Sequence, residues 1–276
     1  MFPVLLEIGP LKLYSYGLMI AIGYLTALYF VQREVQRMGL DPNLIATQAL
    51  ITFLLGLAGT RVLHIMMYPS TYALNDPLGW IAVWRGGLVF QGAIPPAFLY
   101  AYWTLRRHRI PFFLIADIAA PYLALGQAFG RVGCFLNGCC YGKRADGLPW
   151  GICFPEGSLV YQAQSLRYAE LRPSITHWSY PVHPTQLYSV AGLLLIFALL
   201  LLARKKWHPF DGFALPSYMA LYGLFRFTVE FFRGDGNPTV LGFGVLSNQQ
   251  VFSIILVVGG VVLFQYLSRR AKGGPK

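Results

Sequence analysis

Long runs of apolar residues separated by short polar connections fill this chain from end to end. Seven runs reach the roughly 17 to 25 residues that a helix needs to cross a bilayer. They are Tyr14 to Gln32, Leu44 to Met67, Leu88 to Leu105, Phe112 to Phe129, Pro184 to Ala203, Phe213 to Phe232 and Ser247 to Leu267. The third run is irregular, because Gly86-Gly87 opens it and Pro95-Pro96 interrupts it. Two prolines remove two backbone donors and crowd the preceding turn. Broken backbone at membrane depth survives where it is buried or lines a cavity, which makes Gln91 a candidate site residue; the plainer account has Gln91 satisfying the freed carbonyls of a kink. One connection is long, from Gly133 to His183. Within it Leu148 to Pro155 reads as a short strand bounded by prolines, and Ser158 to Leu171 as a helix capped by Ser158 and stopped before Pro173. Trp150, Tyr161, Tyr168, Trp178 and Tyr180 suit a membrane-interface belt. The expected fold is an all-α polytopic membrane protein, a single integral domain over residues 1–276. It has seven transmembrane helices, with a small folded extracytoplasmic head at residues 133–183 between helices four and five.

Composition agrees. Of 276 residues, 56% are hydrophobic and 12% charged, against roughly 25% charged in a soluble domain. Met1 to Lys12 shows no basic n-region and no small-residue cleavage site, so the first span is expected to stay in the mature protein. More than half of the 22 basic residues sit beside the ends of alternate spans: Arg33, Arg37, Arg106, Arg107, Arg109, Arg204, Lys205, Lys206, Arg269, Arg270, Lys272 and Lys276. The positive-inside rule puts these in the cytoplasm, with the N-terminus outside and the C-terminus inside. Inner-leaflet anionic lipid accounts for most of the net charge of +11 without nucleic acid, and the connections are too short for a DNA-binding domain. The odd number of spans and the lack of a repeat argue against a duplicated transporter.

The other basic residues fall on the outer side or in the outer half of a span, among them Arg61, Arg131 and Arg226. An arginine within the membrane costs on the order of 2.5 to 3.5 kcal/mol, so three at similar depth suggest one anion site. The nearest abundant anion is a phospholipid headgroup. Snorkelling or pairing with Glu230 is the bland alternative. Arg61, Arg85, Arg131 and Arg226 could all read phosphate, since the planar guanidinium binds its oxygens bidentately and stays charged. Tyr222, Arg226 and Glu230 share one helical face. Tyr16 lies at the outer mouth of the first span, where an aromatic belt is its other role. His183, at the mouth of the fifth, is a candidate general base. Cys134, Cys139, Cys140 and Cys153 lie on the outer side, where disulfides are permitted and three pairings are open. A structural disulfide tying the head to span four is expected ahead of catalytic thiols. Zinc is possible but weakly signalled, because the C-x4-C-C spacing lacks the usual C-x2-C and no second C-x2-C follows; no metal or cofactor is expected.

The run Gly130-Arg131-Val132-Gly133-x-Phe135-x-Asn137-Gly138-x-x-x-Gly142 resembles the hallmark of the prolipoprotein diacylglyceryl transferases of bacterial inner membranes. Supporting matches occur in order: Tyr16-Gly17-Leu18-Met19, Gly59-x-Arg61, Gly86-Gly87-Leu88-x-Phe90, His183-Pro184-x-Gln186-Leu187-Tyr188, and Tyr222-Gly223-x-x-Arg226-x-x-x-Glu230-Phe231-Phe232-Arg233. The resemblance implies transfer of the diacylglyceryl group of phosphatidylglycerol to the lipobox cysteine in the signal peptide of a prolipoprotein, the first step of lipoprotein maturation. It also implies that a thioether forms and glycerol phosphate leaves. Carried over by position, Arg131 and Arg226 are the phosphate-binding and catalytic arginines, and Asn137, Gly142, Tyr16 and Tyr222 belong to the pocket. Three positions depart: Gln91 stands where many relatives have His, Cys134 where Asn is common, and Cys139 where Glu is common. Glutamine takes no proton from a thiol, which leaves His183 and Glu230 as spare bases. A paralogue of the same fold with another acceptor, an anionic-lipid transporter and a cysteine-centred membrane redox protein are the alternatives.

Overall fold

The computed structural model describes residues 4–8, 11–72, 77–81, 86–168, 177–207, 209–235 and 246–273. Strands β1 (Val4–Ile8) and β2 (Leu11–Tyr14) pair antiparallel at the start, a hairpin that the apolar pattern does not announce. The helices follow: α1 (Ser15–Arg37), α2 (Pro42–Met67), α3 (Pro77–Ile81), α4 (Ile94–Arg107), α5 (Phe112–Asn137), α6 (Leu159–Arg167), α7 (Thr185–Lys206), α8 (Ala214–Glu230) and α9 (Asn248–Gly273). Each apolar run contains a helix, the structure that satisfies the backbone where lipid offers it no hydrogen-bond partner. Helices α1, α2, α5, α7 and α9 are long and apolar enough to cross a membrane. This is a mostly helical, multi-pass membrane protein. Helices α4 and α8, of 14 and 17 residues, extend about 21 and 26 Å at 1.5 Å per residue, short of the roughly 30 Å hydrocarbon layer.

Three local expectations are corrected. Pro95 and Pro96 do not interrupt a helix; they lie in the first turn of α4, after a 3-10 turn at Phe90–Ala93. Proline is at ease there because first-turn N–H groups have no helical acceptor anyway. Span four does not end at Phe129. Helix α5 runs two further turns to Asn137, so Arg131 stands within the helix instead of closing it. Leu148 to Pro155 makes isolated bridges, Ile152 to Val182 and Pro155 to Trp178, in place of a strand. The helix capped by Ser158 is present as α6, with the serine hydroxyl accepting from Tyr161 N at 3.2 Å. It ends at Arg167, and residues 169–176, where Pro173 falls, lie outside the described residues.

The chain forms two compact units, one of Met1–Tyr29 with Ala116–Lys276 and one of Phe30–Ile115. In the first, glycines allow helix backbones to approach closely. A Cβ on Gly23 of α1 would come within 2.7 Å of the Gly126 carbonyl of α5, and one on Gly260 of α9 within 2.7 Å of the Pro216 carbonyl of α8. The α8 N-terminus has no cap of its own. Buried Asp117 of α5 supplies one, accepting from Gly212 N at 2.6 Å and Ala214 N at 2.8 Å. The connection between α5 and α7 folds around buried Phe154, Val160 and Val182, with Phe135, Tyr141 and Ile152 packed against them, and belongs to this same unit. In the second unit α2 packs on α4 and its preceding turn, again through glycines, Gly59 against Gly92.

Candidate active site

The site grows from the C-terminal end of α5. After Asn137 the chain turns through Gly138 (φ 68°) and Cys140 (φ 59°), both left-handed. For cysteine that conformation costs about 1–2 kcal/mol, and the surroundings hold it in place. Cys139 N–H donates to Cys134 O at 3.1 Å. Thr185 Oγ1 donates to Cys140 O and Gln186 Nε2 to Cys139 O, each at 2.8 Å. Thr185 and Gln186 are fully buried at the start of α7. Beyond the turn, residues 141–143 are stitched between two other segments. Gly142 N donates to His183 O at 3.0 Å, Lys143 N to Phe232 O at 2.8 Å and Gly234 N to Tyr141 O at 3.1 Å. Glycine is required at 142 because a Cβ there would lie 2.5 Å from His183 O and 2.8 Å from Phe232 O.

Charge gathers at this crossing. Arg131, Arg226 and Arg233 lie within electrostatic reach of one another. Two of them are matched by carboxylates. Arg226 Nη1 meets Glu230 Oε2 at 2.5 Å with both side chains buried, and Ser247 Oγ donates to Glu230 Oε1 at 2.7 Å. Arg233 is held bidentately by Asp235, with Nε to Oδ1 at 2.8 Å. Burial works to lower the Arg233 guanidinium, but Asp235 and the neighbouring Cys140 and Glu230 carry it up overall. Arg131 is half-buried and, among the described residues, has neither a hydrogen bond nor an ion pair. One guanidinium is therefore left available for an anion.

The remaining residues singled out by the sequence fall in both units. Tyr222 stacks on Tyr218 with centroids 5.6 Å apart and lies within the field of Arg131. Tyr16 opens α1 against Gly133, whose Cβ position lies 3.2 Å from the Tyr16 Cα, and stays 40% exposed. Asn137 is a neighbour of Cys139. His183 turns toward Tyr188, Nδ1 to hydroxyl at 3.2 Å, and packs on Phe232 at 5.3 Å. Arg61 and Gln91 belong to the second unit. Arg61 is buried and its guanidinium is committed to backbone carbonyls: Gly86 O at 2.5 Å, Gly87 O at 3.0 Å, Trp80 O at 3.2 Å and Gly79 O. It also lies over the Tyr72 ring at 4.9 Å. Gln91 sits in the 3-10 turn before α4, its carbonyl accepting from Ile94 N–H. Arg85 lies outside the described residues.

The cysteines correct the sequence expectation. All four are free thiols. Cys153 is exposed, while Cys134, Cys139 and Cys140 meet with their sulfurs within 4.8 Å of one another. Sulfhydryl contacts from Cys134 and Cys139, with Arg233 and Arg131 nearby, hold the Cys140 thiol below its ordinary range against the opposing effect of burial. Sequence reasoning also undervalued Arg233 and Asp235. Their signal was present: a basic residue after the Glu230-Phe231-Phe232 run and an acid two residues on.

Comparison with known proteins identifies the family. The profile of the family described as prolipoprotein diacylglyceryl transferase matches residues 3–266. The chain is 34% identical to the phosphatidylglycerol–prolipoprotein diacylglyceryl transferase of Geobacter sulfurreducens, covering 98% of this chain and 97% of the relative. It is 32% identical to that of Stenotrophomonas maltophilia, covering 98% and 92%, and 33% identical to that of Clostridium tetani, covering 96% and 97%. With the resemblance running the length of the chain, this protein belongs to the prolipoprotein diacylglyceryl transferase family.

Proposed function

We propose that this transferase moves the diacylglyceryl group of phosphatidylglycerol onto the lipobox cysteine of a prolipoprotein signal peptide, leaving a thioether and releasing glycerol phosphate. The observation that carries the reading is Arg131, a cation in a membrane helix matched by no described carboxylate while its neighbours Arg226 and Arg233 are each paired. A lipid phosphate supplies the missing anion. Breaking the C–O bond concentrates negative charge on the departing phosphate, and a preorganised guanidinium in a water-poor site stabilises that charge as it forms. Arg226 is fixed by Glu230 and Ser247, so it presents its charge without reorganising. In this reading Glu230 orients Arg226, and His183 remains the spare base. Tyr16, Asn137, Gly142 and Tyr222 line the pocket. Arg61 holds the carbonyls of Gly79, Trp80, Gly86 and Gly87 within its own unit, and Gln91 exchanges no proton.

The same reading takes all seven apolar runs as spans, with the N-terminus outside and the C-terminus in the cytoplasm of a bacterial inner membrane. The basic clusters after spans one, three and five and at the C-terminus support it. Helices α4 and α8 then cross with help from flanking residues, since a short hydrophobic stretch is accommodated by local thinning and snorkelling. Nucleic acid has no part in it. The direct test incubates purified protein with phosphatidylglycerol and a lipobox peptide and weighs the peptide. A mass increase of one diacylglyceryl group is expected, and its absence with folded protein would overturn the proposal.

A further inference from the structure

The geometry points to a second site within the first unit: Cys134, Cys139 and Cys140 form a three-thiolate seat for a thiophilic d10 cation, Zn²⁺, with the fourth coordination position open to the acceptor thiol. The three sulfurs lie within 4.8 Å of one another. Zinc with Zn–S bonds of about 2.3 Å in tetrahedral geometry needs its sulfurs about 3.8 Å apart, so a contraction of an ångström or less closes the site. Three sulfur ligands with no imidazole or carboxylate among them select a soft metal over magnesium or calcium.

The seat is built rather than accidental. Neighbouring residues in extended chain send their side chains to opposite sides, whereas left-handed Cys140 (φ 59°) brings its sulfur to the same place as that of Cys139. Buried Thr185 and Gln186 fix the carbonyls of Cys140 and Cys139. The C-x4-C-C spacing lacks a zinc signature because the turn after α5, not sequence proximity, assembles the ligands. Three thiolates around Zn²⁺ carry one net negative charge, and Arg131 and Arg233 are both close enough to Cys140 to balance it.

The catalytic half of this inference rests on the transferase reading. A zinc-bound thiol is deprotonated outright, so the acceptor cysteine would release its proton to water on entering the fourth position. Its sulfur lone pair then forms the S–C bond to the glyceryl carbon. The C–O bond breaks with its electron pair going to the phosphate oxygen, and glycerol phosphate departs; zinc is neither oxidised nor reduced.

The test uses the full chain in detergent, loaded with Zn²⁺ or Co²⁺ and desalted. We expect about one zinc per chain and a thiolate-to-cobalt charge-transfer band, both kept in Cys153→Ser. Cys134→Ser and Cys140→Ser should lose at least about tenfold in metal affinity while unfolding near the wild-type temperature. Chelation should slow transfer at least about tenfold and one equivalent of Zn²⁺ should restore it. A wild-type protein that takes no zinc and shows no cobalt band overturns the site without reference to any variant. Equal zinc in a Cys134/Cys139/Cys140 triple serine variant, or two of the cluster's thiols found oxidised to a disulfide, does the same. Transfer indifferent to chelation removes the open fourth position. Zinc bound at the cluster with no transfer under any loading would sink the transferase reading and leave the metal site standing.

Discussion

Arg131 and Arg226 have the same side chain at neighbouring points of one site, yet the structure separates their roles. Arg131 satisfies no described carboxylate, so replacing it leaves no buried group stranded. Arg226 is ion-paired to Glu230 with both side chains more than nine-tenths buried, and breaking such a pair by removing one partner costs about 3–5 kcal/mol. Arg131→Lys keeps the charge but loses the planar fork, and a single ammonium cannot make two parallel hydrogen bonds to phosphate. We expect at least a hundredfold fall in diacylglyceryl transfer, about 2.7 kcal/mol of transition-state stabilisation at 1.36 kcal/mol per decade. That is the low end of what losing one preorganised donor costs. Thermal unfolding in detergent should be unchanged for Arg131→Lys and unchanged or higher for Arg131→Gln, because an unmatched arginine at membrane depth itself costs on the order of 2.5 to 3.5 kcal/mol. Arg226→Gln should lose both transfer and stability. The assay measures the mass of a lipobox peptide over time, normalised to folded protein, beside an unfolding curve for each variant. A near-normal rate for Arg131→Lys, or an Arg131→Gln protein as unstable as Arg226→Gln, refutes the assignment of Arg131 to the substrate phosphate.

Asp117→Ala should destabilise the protein by about 2 kcal/mol or more, beyond an ordinary cap, since two strong backbone bonds to a buried carboxylate are lost. Urea or thermal unfolding will read this, and a neutral result would deny that Asp117 caps α8. Gly142→Ala should cost about 1–3 kcal/mol by overpacking, because the new Cβ meets the His183 and Phe232 backbones; a stable, fully active variant would mean those segments can part freely. For topology, a reporter fused after Lys276 should register cytoplasm and one inserted beside Ser158 the outer side. The reverse would put the arginine site on the wrong leaflet. Gln91→Ala should slow transfer far less than Arg131→Lys, and loss of activity there would move the chemistry to the 3-10 turn before α4.

What the sequence by itself determined follows from solvent. Apolar runs of some twenty residues have one way to satisfy their backbone in lipid, so every run became a helix and the membrane class was legible from composition alone. The anomalous arginines, the Tyr222–Arg226–Glu230 face and the glycine-rich hallmark were legible too, because charge in a membrane must be explained and helical spacing is local. Tertiary structure decided what depends on partners distant in the chain. Pro95 and Pro96 read the same as a kink or a start, and only the preceding turn at Phe90–Ala93 chose the start. Asp117 became a cap because α8 begins beside it, 97 residues away along the chain. Arg61 was indistinguishable from Arg131 by type, until the carbonyls of Gly79, Trp80, Gly86 and Gly87 engaged one and no described carboxylate matched the other. The cysteine spacing carried no zinc signature and left three disulfide pairings open, and a left-handed turn held by Thr185 and Gln186 brought three free thiols together. Which polar groups find one another is fixed by the turns and close helix approaches that the linear pattern does not encode.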